Sequence, residues 1–443
     1  MTARLFLPDV LLFAGEPRAG WALLAREGRI GAVGPAAELL ARYPRAARVP
    51  LPGMALTPGT VNAHSHSFQS LWRGLGDDLP FPRWRDVLYR LAPRLDEEGA
   101  YTGALFAFAE MLLRGVTTVC DFFYLHHGGN ERALAVAEAA RAVGIRLVLA
   151  RAMMDWPAAP RAFRETPEQA VDNTRALAAA LQGDPLVSVI PAPHSPHAAS
   201  AAMVRAGALL AAELDTPWHV HVAEAPYEGE ETRRRTGLGP LAWIAALGVL
   251  DRRVRVVHGV WLDREEIWSL ARVGGGLVHC PGANLFLGDG VAPLALYRRA
   301  GVTIALGCDS GAANNRLSVF DEMRLAAVLQ KGLSGRADAV TALEVYHWGT
   351  RNGAHATGLP VGELAPGRYA DLVALDRHDL SLQPAHNLLH NLVYAMQPTA
   401  IRHVWVHGEP VVRDGRLVRV PEEQIRERVE RLIRPWRPGP SPC

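Results

Sequence analysis

From residue 59 onward the chain alternates short apolar runs of strand character with Ala-, Leu- and Arg-rich stretches of helical period, and this alternation limits the folds open to it more than any other feature. The strand-like runs number eight, at 60–64, 117–122, 146–150, 187–191, 218–222, 254–258, 276–279 and 303–307. Between them lie amphipathic segments such as 101–114, 131–143, 167–181, 200–214 and 264–273. Eight such repeats fit a closed (β/α)8 TIM barrel better than an open doubly wound sheet, and in such barrels function collects at the C-terminal ends of the strands. A barrel takes about 250 residues, so a chain of 443 has room for more. Hydrophobic residues at 49% and charged residues at 21% are enough to fill a large core.

The remainder lies at the two ends. Residues 5–13, 21–26, 29–33 and 47–51 read as short strands broken by Gly, Pro and Glu-Gly turns, and the β texture returns after residue 362 at 371–375, 403–406, 409–412 and 416–420. The expected fold class is therefore α/β, a TIM barrel with a composite β-sandwich domain formed by both chain ends. The expected divisions are 1–57 for the first part of the sandwich, 58–362 for the barrel, and 363–443 for the second part with a C-terminal extension. The proline-rich tail 435–443 reads as a surface extension.

Charge and hydropathy exclude several classes of partner. The 47 basic and 45 acidic side chains leave a formal net charge of +2, with no like-charge run of five, so the chain has no field to hold a nucleic acid. The apolar runs fall far short of about 18 residues and no basic leader opens the chain, which points to a cytoplasmic protein that acts on a small molecule away from membranes. Cys120, Cys280, Cys308 and Cys443 follow no CxxC spacing and read as free thiols.

The strongest chemical signal is His64-Ser65-His66 at the end of the first run, where period-2 alternation turns both imidazoles to one side. His219-Val220-His221 repeats the spacing at the fifth run, and Glu224 follows where strand gives way to loop. His258 closes the sixth run, and Asp309 lies just past the eighth. Four strands thus end in metal-binding or proton-handling side chains. His219 sits one pleat deeper than His221 and reads as a hydrogen-bonded barrel histidine, while His126 and His127 read as loop residues.

Taken together, these strings resemble the amidohydrolase superfamily. The stretch Pro58-Gly59-Thr60-Val61-Asn62-Ala63-His64-Ser65-His66 is similar to its opening motif, His219 through Glu224 to its HxHxxE, Val257-His258-Gly259 to its strand-six histidine, and Gly307-Cys308-Asp309-Ser310 to its strand-eight aspartate. The resemblance implies a metal-dependent hydrolase and a homodimer. Binuclear members bridge two ions with a carboxylated lysine on strand four, but the only lysine here is Lys331, beyond strand eight. One divalent ion is therefore expected, held by His64, His66, His221 and Asp309. This donor set suits Zn²⁺ best, with Fe²⁺ the competitor on ligand softness. Asp309, His258 and Glu224 are the expected catalytic residues: Asp309 orients or deprotonates a water, His258 polarises the attacked group, and Glu224 carries a proton to a leaving nitrogen.

The HxHxxE pattern with one metal resembles the deaminase branch, which releases ammonia from amidine-like carbons. Strings around residues 62–69, 84–89, 123–127 and 192–195 are similar to N-formimino-L-glutamate deiminases, and that resemblance implies Gln69, Arg85, Tyr124 and His194 as substrate-binding residues, with Arg85 suited to a carboxylate. Where that family carries a further arginine, this chain has His197. Residues 71–80, 279–288 and 311–315 look more like deaminases of adenosine derivatives and triazine hydrolases. The leading expectation is a formimino amino acid such as N-formimino-L-glutamate. The alternative is an aromatic N-heterocycle: a purine derivative such as S-adenosylhomocysteine or 8-oxoguanine, a pterin, or a triazine.

Overall fold

The computed structural model describes residues 3–436. Its centre is a ring of eight parallel strands: Thr60–Ser65, Val116–Phe123, Arg146–Met153, Val187–Pro193, Trp218–Val222, Val254–His258, Gly276–His279 and Thr303–Leu306. The first four and the last four each pair in chain order. The two arcs join at both seams through residues of the site itself. At one, the His221 N–H donates to the His194 carbonyl at 3.0 Å; at the other, the Asp309 N–H donates to the His64 carbonyl at 2.9 Å. Asn62 strengthens the second seam, its side-chain oxygen accepting the Cys308 N–H at 2.8 Å.

Local sequence sets where the surrounding helices begin and end. Thr166 with Gln169 and Asp263 with Glu266 form capping boxes that open helices Pro167–Ala180 and Arg264–Arg272, satisfying backbone donors that a helix start leaves free. Helix Glu131–Val143 stops at Gly144, whose φ of +86° supplies the left-handed turn that leads into the third strand. After the first strand, a 3-10 turn at Ser67–Trp72 and helix Phe81–Leu91 form an insertion that breaks the strand–helix alternation. Helix Phe81–Leu91 becomes one wall of the cleft described below.

The composite β domain is a nine-stranded sheet. Its C-terminal half runs Arg416–Leu417, Glu409–Arg413, Ile401–Val406, Leu372–Asp376; its N-terminal half continues Ala47–Pro58, Arg4–Phe13, Trp21–Arg26, Arg29–Pro35, with Glu16–Ala19 paired on Arg4–Phe13. The halves meet where Leu372–Asp376 runs antiparallel to Ala47–Pro58, pairing Ala374 with Leu56. Phe6 and Trp405, one from each half, pack edge to face with ring centroids 5.1 Å apart. The sequence reads 416–420 as a strand; only Arg416–Leu417 pairs, and the chain then turns into helix Glu422–Ile433, which packs on helix Glu97–Leu113.

A buried ion pair fastens this domain to the base of the barrel. Arg146, first residue of the third strand, donates to both carboxylate oxygens of Asp371 at 2.7 and 3.0 Å, and the Tyr369 ring lies 3.7 Å from its guanidinium carbon. Asp371 also accepts the His407 N–H at 2.7 Å. Among the described residues no helix is long and apolar enough to cross a membrane. Cys120, Cys280 and Cys308 are buried free thiols, whereas Cys443 and residues 437–443 of the expected tail lie outside the described residues.

Candidate metal centre and substrate cleft

The strand-one turn is set by Asp121, a buried carboxylate on the second strand that accepts the Ser67 N–H at 2.6 Å and the Ser67 hydroxyl at 2.7 Å. Burial raises its carboxyl to about 7, against the lowering by Ser67. This anchor fixes the chain just past His66. The Nδ1–H of His66 donates to the Phe122 carbonyl at 2.6 Å, and that of His221 to the His194 carbonyl at 2.9 Å. A carbonyl can only accept, so both rings carry their proton on Nδ1 and present the Nε2 lone pair to the barrel axis. Such carbonyl partners are the usual means by which ligand histidines are oriented.

The lone pairs converge. His64 Nε2 lies 3.2 Å from His221 Nε2, and Asp309 Oδ1 lies 3.8 Å from the Nε2 of both His64 and His66. Burial pushes the imidazoles down, His66 to about 3, His221 to about 4 and His64 well below its ordinary value, and repulsion from neighbouring rings adds to this at His64 and His66. The rings are therefore neutral and face one another with lone pairs. Asp309, raised by burial to about 7, leaves Oδ1 buried without a hydrogen-bond partner. Two nitrogens on one tetrahedral ion at 2.0–2.1 Å stand about 3.3 Å apart, close to the separation here. The donor set fits a single divalent cation, and its absence would leave these buried groups repelling each other. No lysine lies on the fourth strand to bridge a second ion; Lys331, on helix Val319–Ser334, donates instead to the Tyr394 hydroxyl at 2.7 Å.

Beside the ligands lie the proton-handling candidates. Glu224 Oε1 is 3.4 Å from His258 Nε2, and both side chains are buried. Burial raises the Glu224 carboxyl well above its usual range, and the nearby charges of Asp289, Glu228 and Asp309 add to this. Burial thus favours its protonated form, which is able to donate. Glu228 holds the Glu224 turn, one carboxylate oxygen accepting the Glu224 N–H at 3.2 Å and the other the Ala225 N–H at 3.4 Å. Ala223, His258 and Asp309 adopt φ values of +54°, +70° and +59°, a region non-glycine residues avoid at a cost of about 1–3 kcal/mol each. This backbone strain at three strand ends aims the carboxylates and the imidazole inward.

A cleft opens above the centre, and its lining includes Gln69, Arg85, Tyr124, His194 and His197. Gln69 donates to the Tyr124 hydroxyl at 2.7 Å. His194 Nδ1 is 3.0 Å from the Ser195 hydroxyl, and His197 Nδ1 is 3.9 Å from the Glu228 carboxylate. The Arg85 guanidinium lies 5.8 Å from the ring centres of both Tyr89 and Trp156, with Nε buried and without a partner. Sequence reasoning missed the aromatic character of this wall. Phe81, Leu88, Tyr89 and Trp156 also line it. The alternation of Phe81, Trp84, Leu88 and Tyr89 at helical spacing was the available signal for all but Trp156. Trp84 ties the wall to the Asp309 loop, its Nε1–H donating to the Ala312 carbonyl at 2.8 Å.

Outside the centre, His219 donates from Nε2 to the Ala356 carbonyl at 2.8 Å, deep in the barrel. His126 donates from Nε2 to the Ala152 carbonyl at 2.7 Å.

A family model described as the amidohydrolase family matches residues 55–411. The chain belongs to this family. A second model, an imidazolonepropionase-like composite domain of bacteria, matches residues 22–46 of the N-terminal strands. This amidohydrolase is 34% identical, over 93% of its own length and 92% of the relative's, to a 5-methylthioadenosine/S-adenosylhomocysteine deaminase of Syntrophobacter fumaroxidans. It is 34% identical to a 5'-deoxyadenosine deaminase of Methanothermobacter thermautotrophicus, covering 85% and 86% of the two chains. Among solved structures, an adenosine deaminase from Xanthomonas campestris with bound zinc superposes with a TM-score of 0.91 at 31% identity, covering 97% of each chain. An atrazine chlorohydrolase from Arthrobacter aurescens shares the fold at a TM-score of 0.91 and 23% identity, over 97% of this chain and 100% of that one. The amidohydrolase is thus a metal-dependent hydrolase acting on carbon–nitrogen bonds.

Proposed function

We propose that this amidohydrolase deaminates the 6-aminopurine ring of an adenosine-type nucleoside, using one zinc ion held by His64, His66, His221 and Asp309. The observation that carries the choice of substrate is identity over most of the chain to enzymes named for methylthioadenosine, S-adenosylhomocysteine and 5'-deoxyadenosine. These relatives favour the heterocycle alternative over a formimino amino acid. The cleft agrees in its chemistry, since Phe81, Trp84, Tyr89 and Trp156 offer aromatic walls to a flat ring. The zinc-bound adenosine deaminase supports the identity of the ion.

When bound, the ion supplies an activated water, whose pKa falls from 15.7 to about 7. The chain's own residues place and move the protons. The water oxygen adds to C6 of the purine, and Asp309 takes one proton from it. Glu224, neutral through burial, gives its proton to the adjacent ring nitrogen. His258 presents Nε2 beside Glu224 and steadies the oxygen as the carbon becomes tetrahedral. The proton on Asp309 then reaches the amino group, the C6–N bond breaks to release ammonia, and the C6 hydroxyl gives its proton back to Glu224, leaving a 6-oxopurine protonated at the ring nitrogen. Gln69, Tyr124, His194, His197 and Arg85 are the residues proposed to hold the rest of the substrate.

An ammonia-release screen of the zinc-loaded enzyme tests this reading. Methylthioadenosine, S-adenosylhomocysteine, 5'-deoxyadenosine and adenosine are run against 8-oxoguanine, a pterin and N-formimino-L-glutamate. Turnover is expected among the first four, with the absorbance change of an aminopurine becoming an oxopurine. Turnover of formiminoglutamate alone would return the assignment to the amino-acid substrate that Arg85 also suits.

A further inference from the structure

The sixth barrel strand ends in a buried imidazole whose two nitrogens have different company. His258 Nε2 faces the Glu224 carboxyl at 3.4 Å, while Nδ1 faces the side-chain amide nitrogen of Asn284 at 3.1 Å. Asn284 lies on the short helix Pro281–Phe286 after the seventh strand and does not line the cleft. An amide nitrogen has only hydrogens to offer, so Nδ1 must accept. A doubly protonated ring would set one N–H against another. The neutral ring therefore carries its proton on Nε2.

The amide cannot turn round to reverse this. The same Asn284 nitrogen lies 3.4 Å from Asp289 Oδ2, and a flipped amide would put its carbonyl oxygen against that carboxylate. Asp289 is itself held on both sides, its N–H donating to the Asn284 backbone carbonyl at 2.8 Å and its carbonyl accepting the Trp261 indole N–H at 2.6 Å. The Asn284 amide thus donates both to Asp289 and to His258, and His258 in turn offers its Nε2 proton towards Glu224.

We infer that Asn284 is a positioning residue that fixes His258 as its Nε2–H tautomer, so that this histidine donates into the reaction site and stays out of the metal's coordination. The second half matters because donor atoms of His64, His258 and Asp309 lie close enough together to share one ion. Distance alone would let His258 join the ligands. A proton on Nε2 removes the lone pair it would need, and it leaves the ring as a hydrogen-bond donor beside Glu224. The inference rests on the deaminase reading only in giving that donor a task.

The test reads the tautomer directly in the zinc-loaded enzyme with ¹⁵N-labelled histidine, the His258 signals being identified by their loss in His258→Gln. The expected spectrum shows a protonated Nε2 and a bare Nδ1. Asn284→Asp should invert it, because a carboxylate accepts from Nδ1–H and frees the Nε2 lone pair. In that variant kcat should fall by about 10²-fold with KM little changed, and the visible spectrum of the cobalt-substituted form should shift towards higher coordination. A wild-type ring protonated on Nδ1 overturns the inference, as does an Asn284→Asp enzyme with the inverted ring and full kcat. The wild-type spectrum decides the matter even if the variant does not fold. A wild-type enzyme that releases no ammonia from any purine refutes the proposed substrate instead, because the tautomer is read without substrate.

Discussion

The ion pair at the base of the barrel and the site at its mouth treat their buried polar and charged groups in opposite ways. At the base, Arg146 and Asp371 satisfy each other through two hydrogen bonds, Tyr369 covers the guanidinium, and the His407 N–H takes a further carboxylate lone pair. At the mouth, Gln69 Oε1, Arg85 Nε and Asp309 Oδ1 are buried without partners among the described residues, and three residues sit in strained backbone. Buried groups are normally paired, because an unpaired one costs about 1–3 kcal/mol. The Arg146–Asp371 pair follows that rule and holds the chain together. The mouth departs from it at Asp309 Oδ1, where a cation would supply the partner, and at Gln69 and Arg85, where a substrate would, so its strain belongs to function and is borne by the rest of the fold.

Substitution at each end should separate activity from stability, and the largest expected effect lies at the mouth. Glu224→Gln keeps the size of the side chain and removes its transferable proton. Turnover should drop by about 10² or more, while elemental analysis still finds about one zinc per chain. The melting temperature should hold or rise, because the change relieves crowding among Glu224, Glu228, Asp289 and Asp309. Full turnover in this variant would remove the glutamate from the proton path.

The base predicts the reverse. Arg146→Ala leaves Asp371 buried without its partner, a change that costs about 3–5 kcal/mol. Calorimetry should show a large fall in melting temperature, while folded enzyme keeps its kcat and KM. A variant that melts normally, or that stays folded and loses turnover, would break the division of labour between the ends.

The same division explains what the sequence made legible. Strand ends and the chemical side chains of the mouth are written locally: a β run stops, and His66, His221, His258 or Asp309 stands at or just past its end. The eight strands observed each overlap the run read from periodicity. The cleft wall was harder to see because it is built by an insertion. Helix Phe81–Leu91 interrupts the strand–helix alternation, and its position over the centre depends on a hydrogen bond from Trp84 to Ala312, more than two hundred residues away. Asp121, Glu228 and Asn284 stayed hidden for a related reason. Asp121 and Asn284 act through neighbours that only the closed barrel brings within reach, Glu228 caps the local turn that carries Glu224, and none stands in a motif that names its task. The substrate was the least legible feature, since the local strings around Gln69, Arg85 and Tyr124 point one way and the strings after strands seven and eight another.

A smaller effect separates burial from ligation among the mouth's histidines. His126 stands after the second strand, is buried, and keeps its Nε2–H on the Ala152 carbonyl, away from the ligand set. Burial lowers its pKa to about 3, with the Arg151 charge adding to this, from 6.5 in an open chain. Between those two values the unfolded chain binds a proton that the folded one refuses, so stability falls as pH is lowered through the window. Above pH 6.5 neither state binds the proton and the group makes no slope. Inside the window one such histidine contributes about 1.4 kcal/mol per pH unit. In His126→Gln the amide can replace the Nε2–H donor and carries no titration. Its melting temperature should therefore decline less steeply than wild type from pH 6 to pH 4, with the two curves parallel above pH 7. Removing the zinc with a chelator should leave this difference between the two proteins unchanged, because His126 does not touch the ion. A difference that vanished on chelation would mean that His126 is coupled to the metal centre, and that burial alone does not set its protonation.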